Sequence, residues 1–149
     1  MKVARCHQPV CAAHRAAACS AAWQYKQAMP PLRIVDSITE LCDQDAGCIA
    51  ISGSHGGISS ARYALAARPV LSVFNDAGVG KDGAGLAALD FLQTHGLAAC
   101  TVSHHSARIG EAQSTLSDGI VSYQNALALA LGAVTGHRCQ QIIDNLQTP

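Results

Sequence analysis

Three apolar runs break off in the same way, each into a short polar segment rich in glycine or histidine: Cys48-Ile-Ala-Ile-Ser-Gly-Ser-His-Gly-Gly57, Val70-Leu-Ser-Val-Phe-Asn-Asp-Ala-Gly78 and Ala99-Cys-Thr-Val-Ser-His-His-Ser-Ala-Arg-Ile-Gly110. Continuous apolar runs of this length are how buried parallel strands read, because both faces of such a sheet are covered. Ligands of open α/β sheets bind beyond the carboxyl ends of the strands, so polar residues gathered there point to one shared crevice.

The chain between and around these runs alternates strand and helix patterns. Leu32–Asp36 reads as a short strand, Ile38–Cys42 as a helical turn, and Cys48–Ser52 as a buried strand introduced by Gly47. Ile58–Ala67 reads as a helix stopped before Pro69, Val70–Phe74 as a strand, Ala84–Thr94 as a helix with Gly96 at its C′ position, and Leu97–Val102 as a strand. Asp118–Leu131 is expected as the final long helix, apolar nearly all round, with a last helix over His137–Leu146. That order predicts a three-layer α/β/α fold on a small, mostly parallel sheet of about four strands, Rossmann-like but without a dinucleotide fingerprint.

A chain of 149 residues has room for one domain with a sizeable core. The Met29-Pro30-Pro31 step marks an expected boundary between an Ala- and Cys-rich leader over residues 1–30, helical or partly disordered, and a single α/β domain over 31–149. The leader contains Cys6, Cys11, His14 and Cys19, ligand types that suit zinc, but the Ala-rich surroundings favour an ordinary helix with incidental thiols.

Ten basic residues balance ten acidic ones and aromatics make up only 4%, so neither the basic footprint nor the stacking platforms of a nucleic-acid binder are present. A small anionic molecule is the expected partner, with no nucleic acid and no membrane, and a domain of this size could rest on a homodimer interface. Seven cysteines, an odd number without framework spacing, fit reduced thiols and a cytoplasmic location; Cys48 and Cys100 read as small buried hydrophobes. His7, His14 and Arg15 interrupt any signal-like apolar core, and the longest apolar stretch, around Ala126–Val134, is about half of a bilayer span.

The polar segments supply the chemistry. Ser52-Gly-Ser-His-Gly-Gly57 reads either as a cradle in which Ser54, Gly56 and Gly57 meet an anion or as a plain glycine turn. Its spacing is neither G-x-G-x-x-G nor that of a Walker A loop, so no cofactor is specified. Asp76, just past a strand, is the preferred general base or orienting acid, with Asn75 beside it as an anion-binding residue; Asp82 reads as a cap for the following helix. In Ser103-His-His-Ser-Ala-Arg-Ile-Gly-Glu111, His104 or His105 could move protons, Arg108 could clamp an anion or simply pair with Glu111, and Ser106 could join the anion site. Ser114 or Ser117 reads as a helix cap, and Ser122 and Asn125, at i and i+3 on one helix face, are placed at the same crevice.

These residues favour a small-molecule enzyme of acid/base type, hydrolase-like, with His55, Asp76 and His105 catalytic and Ser54, Gly56, Gly57, Asn75, Ser106, Arg108 and Asn125 holding an anionic metabolite. Two alternatives stay open: a non-catalytic binding or subunit module with the same crevice, and a metal-dependent hydrolase using His55, Asp76 and His104 or His105.

Overall fold

The computed structural model describes residues 29–148. The leader's Cys6, Cys11, His14 and Cys19 lie outside them. Five strands form one sheet in sequence order: β1 (Leu32–Val35), β2 (Ile49–His55), β3 (Leu71–Asn75), β4 (Ala98–Val102) and β5 (Val121–Gln124). The first four are parallel, and β5 runs antiparallel against β4. The fold is therefore α/β as expected, with five strands in place of four.

Every residue of β3 and β4 is buried, which is why both read as unbroken apolar runs. Side chains alternate between two cores. Ala50, Phe74 and Ala99 point to one face, which is covered by α1 (Ile58–Ala67) and α2 (Ala87–Thr94) through Ala61, Ala64, Ala88, Leu89 and Leu92. Ile49, Ile51, Leu71, Val73 and Cys100 point to the other, covered by Leu116 of α3 (Ala112–Ser117), Ala128 of α4 (Ala126–Ala130) and Ile142 and Ile143 of α5 (Cys139–Gln147). Alanine on α1 and on β2 and β4 lets that helix layer sit close to the sheet. Gly96, at φ +73°, ends α2 in the left-handed region that a C′ position requires.

Burial pushes the Cys48 thiol up to about 11 and that of Cys139 to about 12, and it raises Cys100 as well. These thiols stay protonated at neutral pH and pack as small hydrophobes. Among the described residues, no helix is long and apolar enough to cross a membrane.

The expected long helix over Asp118–Leu131 does not form. Gly119 packs so tightly that a Cβ there would collide with the Thr115 carbonyl, and the β-branched and aromatic Val121-Ser-Tyr-Gln124 then pairs with β4. Asn125 follows as the N-cap of the five-residue α4, its side chain accepting from the Ala128 amide. Ser122 and Asn125 thus share no helix face. Ser114 and Ser117 lie within α3 and cap no helix N-terminus. The helix expected from Ala84 begins at Ala87, because Asp82 (φ 55°) and Gly83 (φ 74°) adopt left-handed conformations inside a 3-10 segment over Lys81–Leu86, and Asp82 caps nothing.

Candidate active site

The β3–β4 register aligns Asn75 with Val102, so the first residues past the two strands emerge side by side, and the Asp76 amide donates to the Val102 carbonyl. That alignment brings Asp76 to His104. Asp76 Oδ1 accepts from His104 Nδ1 at 2.8 Å, from the His104 amide at 3.1 Å and from the Gly78 amide at 2.9 Å. The Asp76 side chain is 5% exposed and the His104 ring 40% exposed, so a buried carboxylate orients a ring that opens to solvent. With Nδ1–H committed to the carboxylate, the neutral ring keeps its lone pair on Nε2. The His105 ring stacks on His104 with centroids 3.8 Å apart.

Burial alone would push the Asp76 carboxyl up. The amides of Gly78 and His104, the His104 ring and the Ser122 hydroxyl outweigh it and hold the carboxyl below the usual carboxylate range. A depressed pKa contributes stability that is complete above the ordinary Asp value of about 4 and is lost as pH falls through the lower folded value. The stability gap between the wild type and Asp76→Asn should therefore be widest near neutrality and narrow below about pH 4, as urea unfolding at a series of pH values would show. A gap that stays constant with pH would mean that Asp76 is not ionised in the fold.

The backbone after Asp76 is strained. Ala77 (φ 50°), Gly78 (φ 71°), Val79 (φ 69°) and Gly80 (φ 71°) form a run of left-handed residues, and two of them carry a Cβ. Left-handed backbone costs about 1–2 kcal/mol for a non-glycine residue, and a β-branched one is rarer still. Such strain persists where surrounding contacts over-determine it, and here those contacts are the side chains of Asn75 and Asp76, which accept from the amides of Ala77 and Gly78.

Beside the dyad lies a cleft of about 590 Å³, lined by Ala77, His104, Arg108, Ile109 and Asp118 among others. His105, Ser106 and Asn75 also border it, but two of these are engaged elsewhere. The Ser106 hydroxyl donates to the Ser103 carbonyl and accepts from the Ile120 amide, and the Asn75 amide group donates to the Ala107 carbonyl. Arg108 meets Glu111 through one N–H at 3.3 Å, with both side chains largely exposed, a pair worth little by itself.

The glycine segment is built differently from an anion cradle. Ser52-Gly-Ser-His55 belongs to β2 and spans an irregularity in its pairing with β3. The Gly56 amide donates to the Asn75 carbonyl and the Gly57 amide to His55 Nδ1, so neither is free for a ligand. A Cβ at Gly56 would collide with the Gly85 carbonyl, and one at Gly53 with the Gly110–Glu111 peptide; these glycines let backbones touch. Ser54 Oγ accepts from the Ile38 amide. His55 is exposed, accepts from the Gly57 amide and does not line the cleft, although its backbone lies opposite Asn75 in the sheet.

Asn125 is further away, at the amino-terminal end of β4. Its Oδ1 accepts from Ala99 and Ala128, and its Nδ2 donates to Leu89 and Leu97, so backbone groups take up its side chain, and it does not line the cleft. Among the described residues, no three His, Cys, Asp or Glu side chains come together as metal ligands, so His55, Asp76 and a histidine of the 104–105 pair do not form the expected facial set. No family model, curated protein or solved structure matches the chain.

The sequence favours His105 over His104 and carries no local sign that Asp118 borders the cleft. Nothing in the His-His spacing ranks the two rings. The usable signal was pairing: if β3 and β4 are neighbours, residues one or two past their ends are the ones that meet.

Proposed function

We propose that the protein is a small-molecule enzyme of acid/base type, in which His104 is the general base and Asp76 its orienting carboxylate. The observation behind this reading is the 2.8 Å contact from the buried Asp76 carboxylate to His104 Nδ1 at the edge of a cleft that also contains a guanidinium. His104 Nε2 would take a proton from a bound molecule or from a water, and Asp76 would stabilise the imidazolium that results. Arg108 would hold the substrate's anionic group, because the one hydrogen bond to Glu111 leaves its other N–H donors uncommitted among the described residues. The nearby hydroxyls of Ser103 and Ser106 are bonded to the His105 amide and to backbone groups, which favours proton transfer to and from the ligand over an acyl-enzyme route.

Two measurements test the reading. Nitrogen-15 spectra of the neutral histidines should show His104 as the Nδ1–H tautomer and His55, whose Nδ1 accepts from Gly57, as the Nε2–H tautomer. Incubating the protein with panels of small carboxylates and phosphates in deuterium oxide, followed by proton NMR, should reveal deuterium uptake at an acidic carbon or hydrolysis. The variants His104→Gln and Asp76→Asn should slow that reaction by about 10²-fold or more. A ligand that binds in the cleft but is recovered unchanged and undeuterated would make this a binding module.

A further inference from the structure

The cleft contains two opposite charges that the dyad does not use. Arg108 and Asp118 both line it, yet they form no ion pair with each other: the only partner of the guanidinium among the described residues is Glu111. They are nevertheless built as a unit. The buried Ser114 hydroxyl accepts from the Arg108 amide at 3.1 Å and donates to Asp118 Oδ2 at 3.1 Å, so one side chain fixes the roots of both charges. Asp118 Oδ1 has no hydrogen bond among the described residues, and Ala77, Ala107 and Ile109 add apolar surface to the cleft lining.

Charge decides what such a cleft accepts. A plain anion gains Arg108 but meets Asp118, and a plain cation gains Asp118 but meets Arg108; within one cleft each like-charge contact opposes binding. A molecule that carries both charges satisfies both. We propose that the ligand is a small zwitterion of the α-amino acid class, with its carboxylate on Arg108, its ammonium on Asp118 and its side chain against Ile109. This deepens the acid/base reading and rests on it for the role of His104, whose Nε2 would face the Cα–H or the reacting bond. The charge matching stands or falls separately.

Thermal shift and calorimetry with free amino acids test it, set against three altered forms of alanine: propionate, which lacks the ammonium, N-acetylalanine, in which it is neutralised, and alaninamide, which lacks the carboxylate. At least one free amino acid should raise the melting temperature with dose, and its N-acetyl and amide derivatives should bind at least about tenfold more weakly. Asp118→Asn, which can still accept from Ser114, should lower affinity for the free amino acid while raising that for its N-acetyl derivative, which no longer meets a like charge. Should propionate stabilise as strongly as any amino acid, or Asp118→Asn leave the discrimination intact, the zwitterion proposal is overturned and the anion reading survives. Amino-acid binding without exchange or turnover supports the zwitterion and removes the catalytic role of His104. Stabilisation by none of these compounds overturns the zwitterion proposal and leaves Arg108 without its small-carboxylate ligand.

Discussion

Asn125→Ala should cost about 4 kcal/mol, near the upper end for a single substitution, without touching the cleft. The side chain is 6% exposed and all four of its hydrogen-bonding positions are filled, two by amides it accepts from and two by carbonyls it donates to. Truncation leaves those backbone groups buried with no partner at the point where α2, the start of β4 and α4 converge. Asn125→Asp should be at least as harmful at neutral pH, because it turns the donor end into a charged oxygen facing the carbonyls of Leu89 and Leu97. Mild acid should recover part of that loss, since a protonated carboxyl can donate to one carbonyl. Denaturant unfolding of both variants across pH would show this, and a cost for Asn125→Ala below about 1 kcal/mol would contradict the accounting.

Gly85→Ala is the second large effect. A Cβ there would collide with the Asp76 carbonyl and approach the Val79 carbonyl to 3.0 Å, both backbone atoms that cannot rotate away. The Gly85 amide also donates to the Val79 carbonyl at 2.7 Å, so the residue fastens the far end of the left-handed turn. The expected loss is about 3 kcal/mol, the upper end for overpacking, accompanied by displacement of Asp76 from His104. Gly83→Ala is the matched control. It shares a positive φ (74°) but a Cβ there would meet nothing within 4 Å, so it should cost about 1 kcal/mol and leave the His104 nitrogen-15 signals in place. Equal losses in the two variants would show that conformational strain, and not the collision with Asp76, governs this loop.

Much of the scaffold was legible because its signals are local. The bounds of α1, the strands around Val73 and Cys100 and the Gly96 stop all follow from apolar runs, Pro69 and a C′ glycine, features a few residues wide. The region after Gly110 was misread because alanine dominates it: Ala126 to Ala130 supports a helix of any length, and nothing local reveals that Val121–Gln124 is held open by pairing with β4. At the site, Asp76 and the histidine loop stood out by residue type, whereas the choice of His104 depended on strand register. The glycines of the Gly53–Gly57 segment were legible as glycines but not in purpose, since what they touch, Gly85 and Gly110, lies far along the chain.

The nearest-neighbour strand order gives the site a distinct place in the chain's entropy. Contacts between adjacent strands, such as Ser52 Oγ to the Val73 carbonyl, close loops of 21 residues. The segment that follows His104 is pinned by much longer closures, Thr115 to Ser52 across 63 residues and the Ala112 amide to Asp36 across 76. Each threefold increase in loop length adds about 1 kcal/mol of closure entropy, so these fastenings start at a disadvantage that the parallel ladder does not share. Opening of the 103–117 segment alone would release the conformational entropy of those residues while leaving the β1–β4 ladder paired. Such a sub-global opening would uncover His104 and the Asp76 carboxylate together.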